Sequence, residues 1–140
     1  MKTYFLASLI AFLSLSAYSH DEKDLEKLKK GEDCKGCDLS GIDLSGANLS
    51  GANLSGANLQ NASMIGTNAM KAAFDDADLR NVTAKKARFG LANFQNAQMD
   101  GADLRGIRGR YAVWRGANWW DARMNDDLRA ALSKKWPRED

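Results

Sequence analysis

Apolar residues recur at every fifth position from Leu39 to Met124, and this period organises the chain. Divided in fives from Cys37 to Asp126, the sequence reads CDLSG, IDLSG, ANLSG, ANLSG, ANLQN and onward to ANWWD and ARMND, eighteen units without an insertion. The third residue of each unit, its centre, is Leu, Met, Phe, Trp or Ala in all but one; the exception is Gly109. The residue two before the centre is Ala in thirteen of the eighteen units. Each unit thus offers one large and one small inward-type position.

Neither regular element can use this period. On an α-helix, at about 100° per residue, five steps turn about 140° and scatter the apolar residues around the axis. On a straight strand side chains alternate faces, so an odd step inverts them each time. The period works if the chain turns a corner every five residues and shows the same face inward each time. Gly closes eight of the units, Gly41, Gly46, Gly51 and Gly56 among them, and relieves the steric cost of such a turn. A fixed short period of this kind indicates a stacked, quasi-one-dimensional solenoid.

The tandem A-[DN]-L-x-x pattern resembles the pentapeptide-repeat family, over about two thirds of the chain. The resemblance implies an all-β fold, a right-handed quadrilateral β-helix with four units per coil and about four and a half coils, with centre and minus-two residues inside. Residues twenty apart then stack. One inner column becomes Leu54, Phe74, Phe94 and Trp114, an aromatic ladder. Another becomes Leu49, Ala69, Phe89 and Gly109, where a large ring lies between two small centres, the volume compensation that close packing requires. Gly109 leaves a void unless Phe89 or a tryptophan fills it.

The segments outside the repeat read as a leader and two lids. Lys2 is followed by the apolar run Tyr4 to Ser16 and the small residues Ala17 and Ser19. This is the pattern of a secretory signal peptide over residues 1–19, cut before His20, and the run is too short to span a bilayer. Residues 20–36 hold a short helix and the Cys34-Lys35-Gly36-Cys37 loop. The order of acids, then lysines, then Gly31 suits the helix dipole and a glycine cap, and Leu25 and Leu28 share a face that could cover the first coil. After the repeat at 37–126, residues 127–140 carry a second capping helix within Asn125 to Trp136. Its N-cap is Asn125 or Asp126, its apolar face is Leu128, Ala131 and Leu132, and Pro137 ends it.

The C-x-x-C pair admits three uses. A redox centre wants a strand–helix setting, and none is predicted. A zinc site wants more ligands, and His20 is the single histidine of the chain. A structural disulfide between Cys34 and Cys37 suits an oxidising compartment and is the expectation. The resemblance adds that exported members of the family share the CxxCDLSG start.

With a net charge of +2, the chain is neither a strongly basic nucleic-acid binder nor a strongly acidic mimic. Its basic residues concentrate between Arg80 and Arg115. Lys85, Lys86, Arg88, Arg105 and Arg108 form a candidate surface for an anionic partner, a protein or an envelope component such as acidic polysaccharide or lipid headgroups. The plainer reading, which the sequence favours, is a solvated face balanced by acids elsewhere. Trp120 follows a centre and is expected to point outward, either as a candidate aromatic contact for carbohydrate or protein or lying under the C-terminal segment.

No Ser-His-Asp set, metal cluster or phosphate loop accompanies the repeat, so an enzyme, a cofactor and a metal are not expected. The reading is an exported, periplasmic or extracellular scaffold or binding module. The alternative is a structural protein that self-associates, as a homodimer, through its Trp-rich C-terminal end. The family's topoisomerase-inhibiting DNA mimicry is a further alternative, but it wants strongly negative faces. Here nine Asp oppose ten Lys and Arg between Cys37 and Asp126, a net of +1.

Overall fold

The computed structural model describes residues 20–138. The expected signal peptide at 1–19 lies outside them. Among the described residues there are two α-helices, α1 (Glu22–Lys29) and α2 (Asp126–Lys135), and a single turn of 3-10 helix at Trp119–Asp121. No helix among them is long and apolar enough to cross a membrane.

Between the helices the chain forms a ladder of parallel β-bridges. Asp38 pairs with Asn58, Asp43 with Ser63, Asn48 with Asn68 and Asn53 with Ala73, and the series runs on to Asp103 with Arg123. Every bridge joins residues twenty apart, and successive bridges are five apart up to Asn93 with Val113. The wall therefore has four columns. They are named below after their first centres: the Leu39, Leu44, Leu49 and Leu54 faces.

The β-structure differs from that of an ordinary all-β protein, because each pairing is a single bridge rather than a strand. The cause is the corner that follows every centre. At the fifth residue of each unit from Gly41 to Gly116 the backbone enters the left-handed region: the eight glycines do so at φ of about 65 to 71°, and so do Asn61, Lys71, Asp76, Asn81, Lys86, Leu91, Asn96 and Tyr111. Glycine adopts this conformation without steric cost and asparagine or aspartate at little, whereas Lys71, Lys86, Leu91 and Tyr111 are held there against their own preference. The ladder imposes the turn. The corner N–H donates across to the next coil, as in Lys71 to Gly90 and Leu91 to Arg110, at 2.8 and 2.9 Å.

The core is a continuous column of centres and minus-two residues, all buried except Gly109 and Ile107, which are half-buried. The expected aromatic ladder forms. Phe74 and Phe94 stack at 5.2 Å between ring centres, Phe94 and Trp114 at 4.6 Å, and Phe89 meets Phe74 and Phe94 edge-on. The space left by Gly109 is filled by the tryptophan: Trp114 Cζ2 lies where a Cβ on Gly109 would touch it, at 3.7 Å. Thr67 is the polar member of the minus-two set. It is fully buried, and its hydroxyl donates to the Leu44 carbonyl at 2.8 Å.

The two helices close the stack differently. In α1 the Asp21 side chain caps the start, accepting from Lys23 N–H, and Gly31 at φ 72° ends it, with Gly31 and Glu32 N–H returning to Leu28 and Lys27 carbonyls. Leu25 and Leu28 are buried on the first coil. The polar edge of that coil is met as well: Asp38 N–H donates to the Asp24 carboxylate and its carbonyl accepts from Asp21 N–H. The Cys34 and Cys37 sulfurs lie at disulfide distance, with Cα atoms 5.1 Å apart, so the loop is tied to the first unit.

At the other end the repeat gives way before its last unit. The bridge expected between Gln98 and Asn118 is absent, the chain turns into the 3-10 segment, and the Asn118 side-chain oxygen rather than its carbonyl accepts from Met99 N–H. Asn125 precedes α2 but does not cap it with its side chain; its oxygen instead accepts from Gly106 N–H at 3.1 Å and extends the Leu44 face. The buried stripe of α2 also departs from the sequence expectation. Leu132 is buried, Leu128 and Trp136 pack on the core, and Ala131 is exposed. Arg129 takes the fourth contact, donating to the carbonyls of Trp120 and Ala122 at 2.9 and 2.7 Å.

Candidate functional site

Cations are treated differently on the four faces. The sequence ADLR occurs twice, at 77–80 and 102–105, and each copy folds into the same device. Asp and Arg flank one centre on the outer side of the wall and pair through two bonds. Arg80 meets Asp78 at 2.9 and 2.6 Å, and Arg105 meets Asp103 at 2.9 and 2.7 Å. Lys85, one coil before Arg105 on the Leu44 face, also reaches Asp103, at 3.6 Å. The Arg105 hydrogen bonds hold the Asp103 carboxyl down at about 2. Burial pushes Asp78 up, but Arg80 outweighs it and keeps that carboxyl below the usual range.

The five-residue basic surface therefore divides. Lys85 and Arg105 belong to the Leu44 face and are engaged by Asp103. Arg88 and Arg108 belong to the Leu49 face and pair across a bridge, one above the other. Lys86 stands at the corner between the faces, at φ 58°. The Leu49 face adds two cations outside the five, Arg110 beside Arg108 and Lys71 at its far corner. From Asn48 to Gly51 and in the three stretches stacked on it, 67–71, 87–91 and 107–111, there is no Asp or Glu. Among the described residues no carboxylate lies within ion-pair distance of Arg88, Arg108 or Arg110. Arg88 leans on the Met70 sulfur at 3.2 Å.

The same face carries the largest exposed apolar groups. Leu91 and Tyr111 stack at one corner and are 50% and 73% exposed, and Arg110 lies over the Tyr111 ring at 5.9 Å. Both are among the non-glycine residues held at positive φ. Gly90, between Met70 and Arg110, leaves the middle of the face low. The ADLR pairs were legible in sequence as an Asp two residues before an Arg across a centre, a spacing that puts both on one side of the wall. That signal separates Arg105 from Arg108.

Trp120 is not free. Its ring lies on Trp119 at 3.9 Å between centres, and it is half-buried against the core. It floors a cleft of about 890 Å³ between the last coil and the end of α2. Arg115, Lys135 and Arg138 border the cleft, Trp136 walls it, and among the described residues no Asp or Glu lines it. No group of His, Cys, Asp and Glu that could hold a metal occurs among the described residues.

The pentapeptide-repeat profile matches residues 33–68 and 72–108, in eight copies. The chain belongs to the pentapeptide-repeat family. Among solved structures, a pentapeptide repeat protein from the Arabidopsis thaliana thylakoid lumen is 32% identical over 69% of this chain and 74% of its own, with a TM-score of 0.35. HetL, involved in heterocyst differentiation regulation in the cyanobacterium Nostoc, is 24% identical over 69% of this chain and 50% of its own, with a TM-score of 0.44. QnrB1, a plasmid-mediated fluoroquinolone resistance protein, is 15% identical over 72% of this chain and 71% of its own, with a TM-score of 0.26. No curated protein matches by sequence.

Proposed function

We propose that this pentapeptide-repeat protein is an exported, non-enzymatic binding module whose working surface is the Leu49 face and whose partner is anionic, a protein or an envelope component. The stack is read as about four and a half right-handed coils, a rigid support for that face. The observation that carries the reading is the distribution of charge. The cations of the ADLR pairs and Lys85 are engaged by carboxylates, whereas Arg88, Arg108 and Arg110 stand together, with Lys71 and Lys86 at the corners, and no acid shares their face. Like charges stacked across a bridge cost stability, so their gathering on one face is better explained by a ligand than by folding. The rings and aliphatic groups at Tyr111 and Leu91 give the same face apolar contact area beside its charge. The activity of QnrB1 is not carried over, because a cationic face is the opposite of what a DNA mimic presents.

The test compares two charge reversals on a heparin column, as a generic polyanion. Arg88→Glu with Arg108→Glu should elute at clearly lower salt than the unaltered protein, and Lys85→Glu with Arg105→Glu should shift it much less. Equal shifts would show that net charge, not the face, governs binding. Export is tested separately, by sequencing the N-terminus of protein recovered outside the cytoplasm; a mature chain beginning at His20 is the expected result.

A further inference from the structure

The last coil ends in an edge that is half covered. In the coils before it, three backbone groups of each unit bond to the next coil. On the Leu54 face, Ala92 carbonyl accepts from Val113 N–H, Phe94 N–H donates to Val113 carbonyl and Asn96 N–H donates to Arg115 carbonyl, at 2.9, 2.8 and 3.0 Å. One coil later the equivalent groups are the Ala112 carbonyl and the N–H groups of Trp114 and Gly116. None of these has a partner among the described residues. The Leu39 and Leu44 faces are closed at this end by the Asn118 side chain, by Asn125 and by α2. The Leu49 and Leu54 faces are not, and of these two it is the Leu54 edge that lines the cleft at α2.

Trp114 and Gly116, which carry two of the three open groups, line the cleft beside the C-terminal end of α2. Trp114, Arg115, Gly116 and Ala117 form one wall of it, and Lys135 to Arg138 form the other. The edge asks for a residue that offers both N–H and carbonyl, followed two residues later by a second carbonyl. That is the pattern by which each coil of this protein receives the next, and it is the pattern of an extended main chain. The cations Arg115, Lys135 and Arg138 surround it, with no carboxylate among the described lining residues, and Lys135 is seated over the Trp136 ring at 4.4 Å.

We infer that this cleft receives an extended, acidic segment of a partner polypeptide, which adds one rung to the Leu54 face by main-chain pairing. The backbone edge supplies the register, and the three cations select acidic side chains. Trp120 and Trp136 exclude water from the new bonds. The site is separate from the basic Leu49 face, so the two surfaces can fail independently.

The experiment follows backbone amide exchange by NMR on the mature chain. The probe is an end-blocked hexapeptide of alternating valine and glutamate. In the free protein the Trp114 and Gly116 amides exchange rapidly and those of Phe94 and Asn96, one coil earlier, slowly. With the peptide, Trp114 and Gly116 become protected, and N-methylation of its valines weakens binding about tenfold, the effect of losing one hydrogen bond of ordinary strength. A lysine-containing counterpart does not protect them. Arg115→Glu with Lys135→Glu, with slow exchange at Phe94 and Asn96 as the check that the coils stay folded, abolishes the protection, whereas Arg88→Glu with Arg108→Glu preserves it. Absence of protection at millimolar peptide overturns the inference, as does equal protection by the N-methylated peptide, which would indicate charge attraction alone. Trp114 and Gly116 amides protected without peptide, in a dimer seen by light scattering, would assign the edge to a second copy instead.

Discussion

At Leu91 the chain accepts a local cost for the sake of the stack. A branched side chain is held at φ 60°, its N–H spent on the Arg110 carbonyl. Leu91→Asn keeps the bond and relieves the strain, since asparagine tolerates this region. It should raise stability by about 0.5–1 kcal/mol in chemical denaturation, and Leu91→Gly by less, because glycine also loses more freedom on folding. A stabilised Leu91→Asn protein with weaker binding to its anionic partner would place the strain in the service of that surface. The second residue-scale effect is acid sensitivity. Arg105 lowers the Asp103 carboxyl from 3.8 to about 2, so the pair stabilises the protein above pH 4 and the contribution is lost as pH falls toward 2. Screening by solvent limits it to about 1 kcal/mol. Asp103→Asn should flatten the melting temperature between pH 4 and 2 and lower it at neutral pH. The period, the inward residues and the glycine corners were readable from the sequence because each depends only on position within five. Which cations share a face follows likewise from position within twenty, Lys85 with Arg105 and Arg88 with Arg108, whereas the reach of Lys85 to Asp103 depends on side-chain conformation and is not written in the spacing.

At the scale of elements, columns and lids obey different rules. Ala69 is fully buried between Leu49 and Phe89, in a column where Phe89 already spreads toward Phe74 and Phe94. Ala69→Phe is expected to destabilise by about 1–3 kcal/mol through overpacking, seen as a lower denaturation midpoint. The lid α2 is fastened by polar contacts as much as by its apolar stripe. Arg129 satisfies the Trp120 and Ala122 carbonyls, two acceptors that the interrupted repeat leaves without a following coil. Arg129→Ala should cost about 1–3 kcal/mol, and hydrogen exchange should show the loss in α2 and at Trp119–Asp121 rather than in the first coils. The sequence shows that a helix follows the repeat, but not which stripe it buries. Leu128, Ala131 and Leu132 fit a helical face on paper, and the choice of Leu128, Arg129, Leu132 and Trp136 is made by the carbonyls beneath them. Trp120 follows the same logic: the outward position after a centre holds only where the coil keeps its form, and here the chain has become a 3-10 turn, so the ring is half-buried and faces the C-terminal segment, the second of the two placements the sequence allows.

Across the whole molecule, stability is distributed along one axis, because each coil touches only those before and after it. Removal of residues 57–76 would join Gly56 to Ala77 at the same corner and leave both lids intact. The shortened protein should fold cooperatively with a lower melting temperature. Removal of ten residues from the same place should instead leave it unfolded, since it sets the faces after the cut on the opposite columns. Circular dichroism on the two deletions distinguishes these outcomes. The four bridges per turn also make the molecule a ruler. Added or lost coils alter the distance between its ends in steps of about 4.8 Å without redesign of either terminus. A lineage could therefore tune how far apart two bound partners are held by copying twenty residues at a time, while a slip of a single codon triplet within the repeat would be purged.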